Sequence, residues 1–162
     1  MEMPKDRLVN LDSFQMLIPD NFAIVDNSNE DIYTISDRED HIVVNISFLE
    51  ELGGRSLPDM ASYDTYFMQQ DGYSLESIYP LEKDIFPQVS AVILLYSREL
   101  ESGDIEYWES VLFYHQAGQL LMLGISYVGG SGEWSRPEVI NTFMQNFVPF
   151  PQGAVEHQHQ GE

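Results

Sequence analysis

The sequence predicts an α+β domain, an antiparallel sheet of about six to eight strands carrying two main helices. Three observations carry this expectation. From Gln88 to Tyr127 run three segments rich in Val, Ile, Tyr, Phe and Trp, separated by turn residues at Ser102-Gly103 and Ala117-Gly118. That is the composition of a pleated meander. Helical patterns occur only from Ser56 to Gly72 and after Trp134, so strands and helices do not alternate as βαβ units would. Finally, 162 residues with 43% hydrophobic and 12% aromatic content suit one domain with a substantial core. The domain is expected over 13–150, between a loose arm at 1–12 and a flexible tail at 151–162.

The elements follow in order. Phe14 to Pro19 reads as a short strand, and Pro19-Asp20-Asn21 turns it into Phe22-Ala23-Ile24-Val25. A second turn cluster, Asp26 to Asn29, precedes a strand from Asp31 to Ser36. A charged connection then leads to the strand from His41 to Glu50. Ile42, Val44, Ile46 and Phe48 share one face of it, and Val43, Asn45 and Ser47 the other. Ser56 is the expected cap of the first helix, with Pro58 in its first turn and Asp59 three residues on. Met60, Tyr63 and Phe67 form its expected stripe, and Gly72 its end. Another strand begins at Tyr73, and a loop ending at Pro87 leads into the meander. In the second helix Ser135 and Glu138 have capping-box spacing, and Val139, Ile140, Phe143, Met144 and Phe147 form the apolar face. In the first meander strand Val89, Ala91, Ile93 and Leu95 oppose Val92, Leu94 and Tyr96, so both sheet faces require cover. Either the helices lie on opposite faces or one face awaits a partner.

Charge and composition exclude several functions. A formal net charge of −20 repels phosphate backbones and anionic lipid heads, so neither nucleic acid nor stable membrane association is expected. It would favour a basic partner. The chain has no cysteine, hence no disulfide framework and no thiolate chemistry. No apolar run has the length of a signal peptide core or a membrane span, and a cytoplasmic location is expected.

Motifs that could carry chemistry are each better explained by structure. The Gly129 to Gly132 run lacks the third glycine of a dinucleotide loop and any Walker lysine. Asp26 to Asp37 superficially matches a calcium loop, but Asp31 and Asp37 stand where glycine and glutamate belong. His157 and His159 sit on the expected tail without a third ligand, and His41 and His115 lie at strand ends. No nucleophile elbow or HExxH is present, so no enzyme, metal or cofactor is expected. Trp108, Trp134, Met60, Met68, Met122 and Met144 read as packing residues. Asn45, Ser47 and Ser97 are small polar residues on otherwise apolar strands, suited to gripping a helix that carries polar atoms.

The layout from Phe14 to Phe150 resembles the PsbP-like and DcrB-like sandwich that includes the Ran-binding Mog proteins. The residues carrying this likeness are Ile18-Pro19-Asp20-Asn21-Phe22, the helix from Ser56 to Gly72, the meander from Ser90 to Tyr127, and Phe143 to Pro151. Among these the cytoplasmic Eag chaperones of type VI secretion look most similar. The resemblance implies a non-enzymatic homodimer that shields hydrophobic N-terminal helices of a secreted effector. By position, Ile32 and Ile35 would supply apolar contacts and Asn45 a polar grip. The expected partner-binding face comprises Ile32, Ile35, Val43, Asn45, Ser47, Leu95 and Ser97. The alternatives are an acidic immunity or inhibitor protein binding a basic target, and a Mog-type GTPase binder.

Overall fold

The computed structural model describes residues 8–25, 32–39, 41–81, 88–129 and 133–155. The meander forms as expected: β7 (Val89–Glu99), β8 (Ile105–His115) and β9 (Gln119–Gly129) pair antiparallel along their full lengths. Gly103 and Gly118 occupy positive φ of 95° and 89° in the connecting turns, where a Cβ would be strained. The remaining strands of this sheet are β3 (Phe22–Ile24), β4 (Ile32–Asp37), β5 (Ile42–Leu49) and β6 (Ser74–Pro80). Its order is β3-β4-β5-β9-β8-β7-β6, so the meander lies inside a seven-stranded sheet.

A second, three-stranded sheet was not foreseen. It joins β1 (Leu8–Asn10), β2 (Phe14–Leu17) and β10 (Val148–Pro149), with β2 in the middle. Part of the supposed loose arm is therefore a paired strand. The expected tail is also held as far as Val155, whose backbone N–H donates to the Gln119 side chain at 2.8 Å and whose carbonyl accepts from it at 2.7 Å.

The two helices take opposite faces of the large sheet. Helix α2 (Glu138–Gln145) buries Ile140, Phe143 and Met144 with Val44, Ile46, Ile93, Val111, Leu123 and Ile125. Phe14 and Met16 of the small sheet complete this main core, with Phe14 and Phe113 both stacked on Phe147. Helix α1 (Leu57–Gln70) closes a smaller core of Leu52, Met68, Tyr73, Leu94, Tyr96, Leu112 and Leu120. The alternation along β7 thus feeds both cores.

Local rules explain one helix start and fail at the other. Ser56 caps α1: its hydroxyl accepts from the Asp59 N–H at 3.3 Å, and the Asp59 carboxylate accepts from the Ser56 N–H at 2.9 Å. At α2 the expected Ser135 box does not form. The N-cap is Pro137, with φ −56° and ψ 138° and no side-chain cap. The same Ser-x-Pro-acid spacing closes the box at α1, where Leu57 is helical directly before Pro58, so the proline does not account for the difference; at α2 the intervening residue, Arg136, is held instead by Glu109, and the helix starts at Glu138. The α1 stripe is also rotated from expectation. Its sheet side carries Leu57, Met60, Ala61 and Met68, so Met60 of the expected stripe packs inward, whereas Tyr63 and Phe67 are exposed.

Candidate functional site

The predicted partner-binding residues do not share a face. Register pairs Ile32 with Ser47, Thr34 with Asn45 and Ser36 with Val43, which places Ile32, Val43, Asn45 and Ser47 on the α1 side. Ile35 pairs with Val44 and is fully buried in the main core on the α2 side. Leu95 belongs to that core as well, and Ser97 has the same parity. Period-two alternation decides the matter: positions three apart, like Ile32 and Ile35, point to opposite faces. Ser97 is half-buried near the end of β7, where its hydroxyl donates to Glu76.

Two depressions flank α1. Toward β6 lies an open apolar groove of about 640 Å³, lined by Leu57, Ala61, Tyr66, Leu75, Ile78 and Val92 among others. Tyr66, Phe67 and Ile78 are 58%, 64% and 54% exposed there or beside it. The Tyr66 and Phe67 rings meet edge to face at 5.5 Å, and the Arg55 guanidinium lies 5.5 Å from the Tyr63 ring. An exposed apolar surface of this extent is unusual on a chain with net charge −20.

Toward β5 lies a smaller polar pocket of about 120 Å³, bounded by Asn45, Ser47, Asp64, Trp108, Ser110 and Gly124 among others. The Tyr96 hydroxyl donates to Asp64 Oδ2 at 2.7 Å and lies 3.0 Å from Thr65 Oγ1. Trp108 Nε1 donates to Ser110 Oγ at 3.0 Å, and Ser110 and Asp64 line the same pocket. Burial raises the Asp64 carboxyl above its usual range, against the opposing effect of the Tyr96 and Ser110 hydroxyls. On the outer side Thr34 Oγ1 donates to Asn45 Oδ1 at 2.8 Å. Gly124 makes room for the indole: a Cβ there would lie 2.4 Å from Trp108 Cζ2.

Across the sheet is a second polar group that sequence reading missed. Glu109, fully buried on β8, forms an ion pair with Arg136, whose Nε lies 3.1 and 3.0 Å from the two carboxylate oxygens and whose Nη2 also donates. Tyr127 donates to Glu109 at 2.7 Å and Trp134 Nε1 to the Tyr127 hydroxyl at 2.8 Å. Burial alone would lower the Arg136 pKa, but hydrogen bonding and attraction from Glu109 outweigh it and raise it. The signal was an acidic residue between Tyr107, Val111 and Phe113 on one strand face.

The other candidates have structural roles. His115 accepts at Nδ1 from the Ala117 N–H at 3.0 Å and meets the Phe150 ring at 5.3 Å, and burial lowers its pKa. Asp37, the last residue of the calcium-like run, accepts the backbone N–H of His41 at 2.7 Å. Asp26 to Asp31, Gly130 to Gly132, His157 and His159 lie outside the described residues. Among the described residues no cluster of three or more His, Cys, Asp or Glu is placed to hold a metal, and no helix is long and apolar enough to cross a membrane. Neither the scan against protein-family models nor the search of curated proteins finds a match.

Proposed function

We propose that this chain is a non-catalytic, cytoplasmic protein-binding module, a chaperone or adaptor that covers hydrophobic helices of a secreted effector. The observation that carries this reading is the 640 Å³ apolar groove between α1 and β6–β7, with Tyr66 and Ile78 exposed along it. An apolar helix docks in such a groove through anchors spaced at i, i+3 or i+4, and i+7. Burial of those anchors supplies the driving force, offset by the ordering costs of association. The resemblance to the Eag chaperones adds a client class and a dimer to this reading. The α1 side, with Ile32, Val43, Asn45 and Ser47 farther along the sheet, replaces the mixed face expected from sequence.

The test uses synthetic N-terminal helices of effectors from the same cell, titrated against wild type and Ile78→Asp. Ile78 is 54% exposed, so this change should leave stability within about 0.5 kcal/mol. Client affinity should fall by about tenfold or more, as expected when a charge enters an apolar contact. Undiminished affinity would place the binding face elsewhere. Wild-type binding should also persist at high salt. A steep loss with salt would instead favour the acidic inhibitor, whose −20 charge would drive association.

A further inference from the structure

We propose that the pocket between Asp64 and Trp108 binds an organic cation, an alkylammonium or guanidinium group of about four or five heavy atoms. The site lies on the other side of α1 from the apolar groove and does not depend on the chaperone reading.

Four features select a cation. The first is an oriented carboxylate. Trp108 Nε1–H is only a donor, so Ser110 Oγ accepts from it at 3.0 Å and keeps its own proton for another acceptor in the pocket that it lines together with Asp64. Tyr96 gives its hydroxyl proton to Asp64 at 2.7 Å. A carboxylate has about four acceptor positions, so the Tyr96 donor leaves capacity for a ligand. The second feature is the Trp108 indole in the pocket wall, whose π face attracts cations. Gly124 fixes its place, since any larger residue would collide with the ring.

The third feature is the remaining lining. Ser47 adds a hydroxyl and Asn45 an amide, and no Lys, Arg or His among the described residues lines the pocket. Asp64 therefore has a hydroxyl partner but no counter-charge there. An anion would be repelled, and a neutral apolar group would desolvate the carboxylate without return. The fourth is size and field. A volume of about 120 Å³ corresponds to roughly four waters at about 30 Å³ each, and the net charge of −20 concentrates cations around the molecule.

The experiment is an NMR titration of the whole chain that follows the Trp108 indole N–H and the Gly124 amide. The probes are n-butylammonium chloride, Nα-acetyl-lysine N-methylamide, n-butanol and sodium chloride at matched ionic strength. Saturable shifts with one or both amines, absent with butanol and sodium chloride, are expected. Asp64→Asn should weaken amine binding about tenfold or more, the effect of losing one charge-assisted hydrogen bond. Ser47→Leu, which fills the pocket and leaves the carboxylate, should do the same and decides the matter if Asp64→Asn does not fold. Stronger binding of the capped lysine assigns the site to a side chain of a partner protein, and preference for butylammonium assigns it to a small amine. Non-saturating shifts, equal shifts with butanol, or undiminished binding by Ser47→Leu would overturn the proposal. Because no client peptide is present, failure here leaves the apolar groove untouched.

Discussion

Replacing Arg136 by alanine should destabilise the domain severely, because it strands Glu109. The carboxylate is fully buried, and Arg136 is its only cationic hydrogen-bond partner among the described residues. Removing one member of a buried pair costs about 3–5 kcal/mol, since the remaining charge loses its compensation. The Arg136 side chain retains 18% exposure, so water can partly replace it and the lower end, about 3 kcal/mol, applies. With a urea m-value near 2 kcal/mol/M, the midpoint should fall by about 1.5 M with m unchanged. Far-UV circular dichroism is the suitable signal, because Trp134 sits in the same network and its fluorescence would respond locally. The double variant Glu109→Gln, Arg136→Met should recover most of the loss, with a neutral amide still able to accept from Tyr127. A single variant within about 0.3 M of wild type, or a double variant as weak as the single, would refute the claim that an uncompensated charge dominates.

Two further perturbations read the α1 side. Gly124→Ala should cost about 1–3 kcal/mol, because its Cβ would meet the ring of Trp108 at 2.4 Å; a thermal melt with near-UV dichroism would register both the loss and the displaced indole. Asp64 should give a measurable pH dependence. Burial raises its folded pKa above the unfolded value, so its ionised form opposes folding above that pKa, and the penalty is relieved as pH falls through it. Wild type should therefore gain stability relative to Asp64→Asn as the pH falls from neutral through the raised folded pKa toward the ordinary carboxylate range, seen as converging or crossing urea midpoints. Parallel midpoints would show that Asp64 is not desolvated.

The meander was legible because β-branched and aromatic residues fill both parities of its strands, and Gly103 and Gly118 mark its turns. The same double-sided pattern left two outcomes open, helices on opposite faces or a face awaiting a partner, and the structure has the first. Three features were hidden for physical reasons. The α1 stripe was misread because Asp64 lies on the side facing β7 and β8, so an apolar count chose Tyr63 and Phe67 instead. The capping spacing of Ser135 and Glu138 matches that of Ser56 and Asp59, proline included, yet only the latter pair closes a box; spacing does not tell the two apart, and at α2 Arg136 is bound to Glu109 instead. The binding face was assembled across mixed parities, which strand register settles only once pairing is known: Ile35 and Leu95 fell into the core while Asn45 and Ser47 remained beside the polar pocket.

Adjacent residues of β8 show why the polar groups persist in a chain otherwise rich in interchangeable apolar side chains. Glu109 points to the α2 side and binds Arg136, while Ser110 points to the α1 side, binds Trp108 and shares a pocket with Asp64. A one-residue slip of β8 would exchange them, burying a carboxylate beneath α1 beside Asp64 and a lone hydroxyl opposite Arg136. Both substitutions would leave charges uncompensated, a far larger penalty than exchanging Val111 for Leu112 on the same strand. The apolar residues of the meander therefore supply the cohesion of the sheet, and the polar pair fixes its register. Fixed register is also what sets Asp64, Trp108 and Gly124 around one small cavity, so the ion pair on one face maintains the geometry of the pocket on the other.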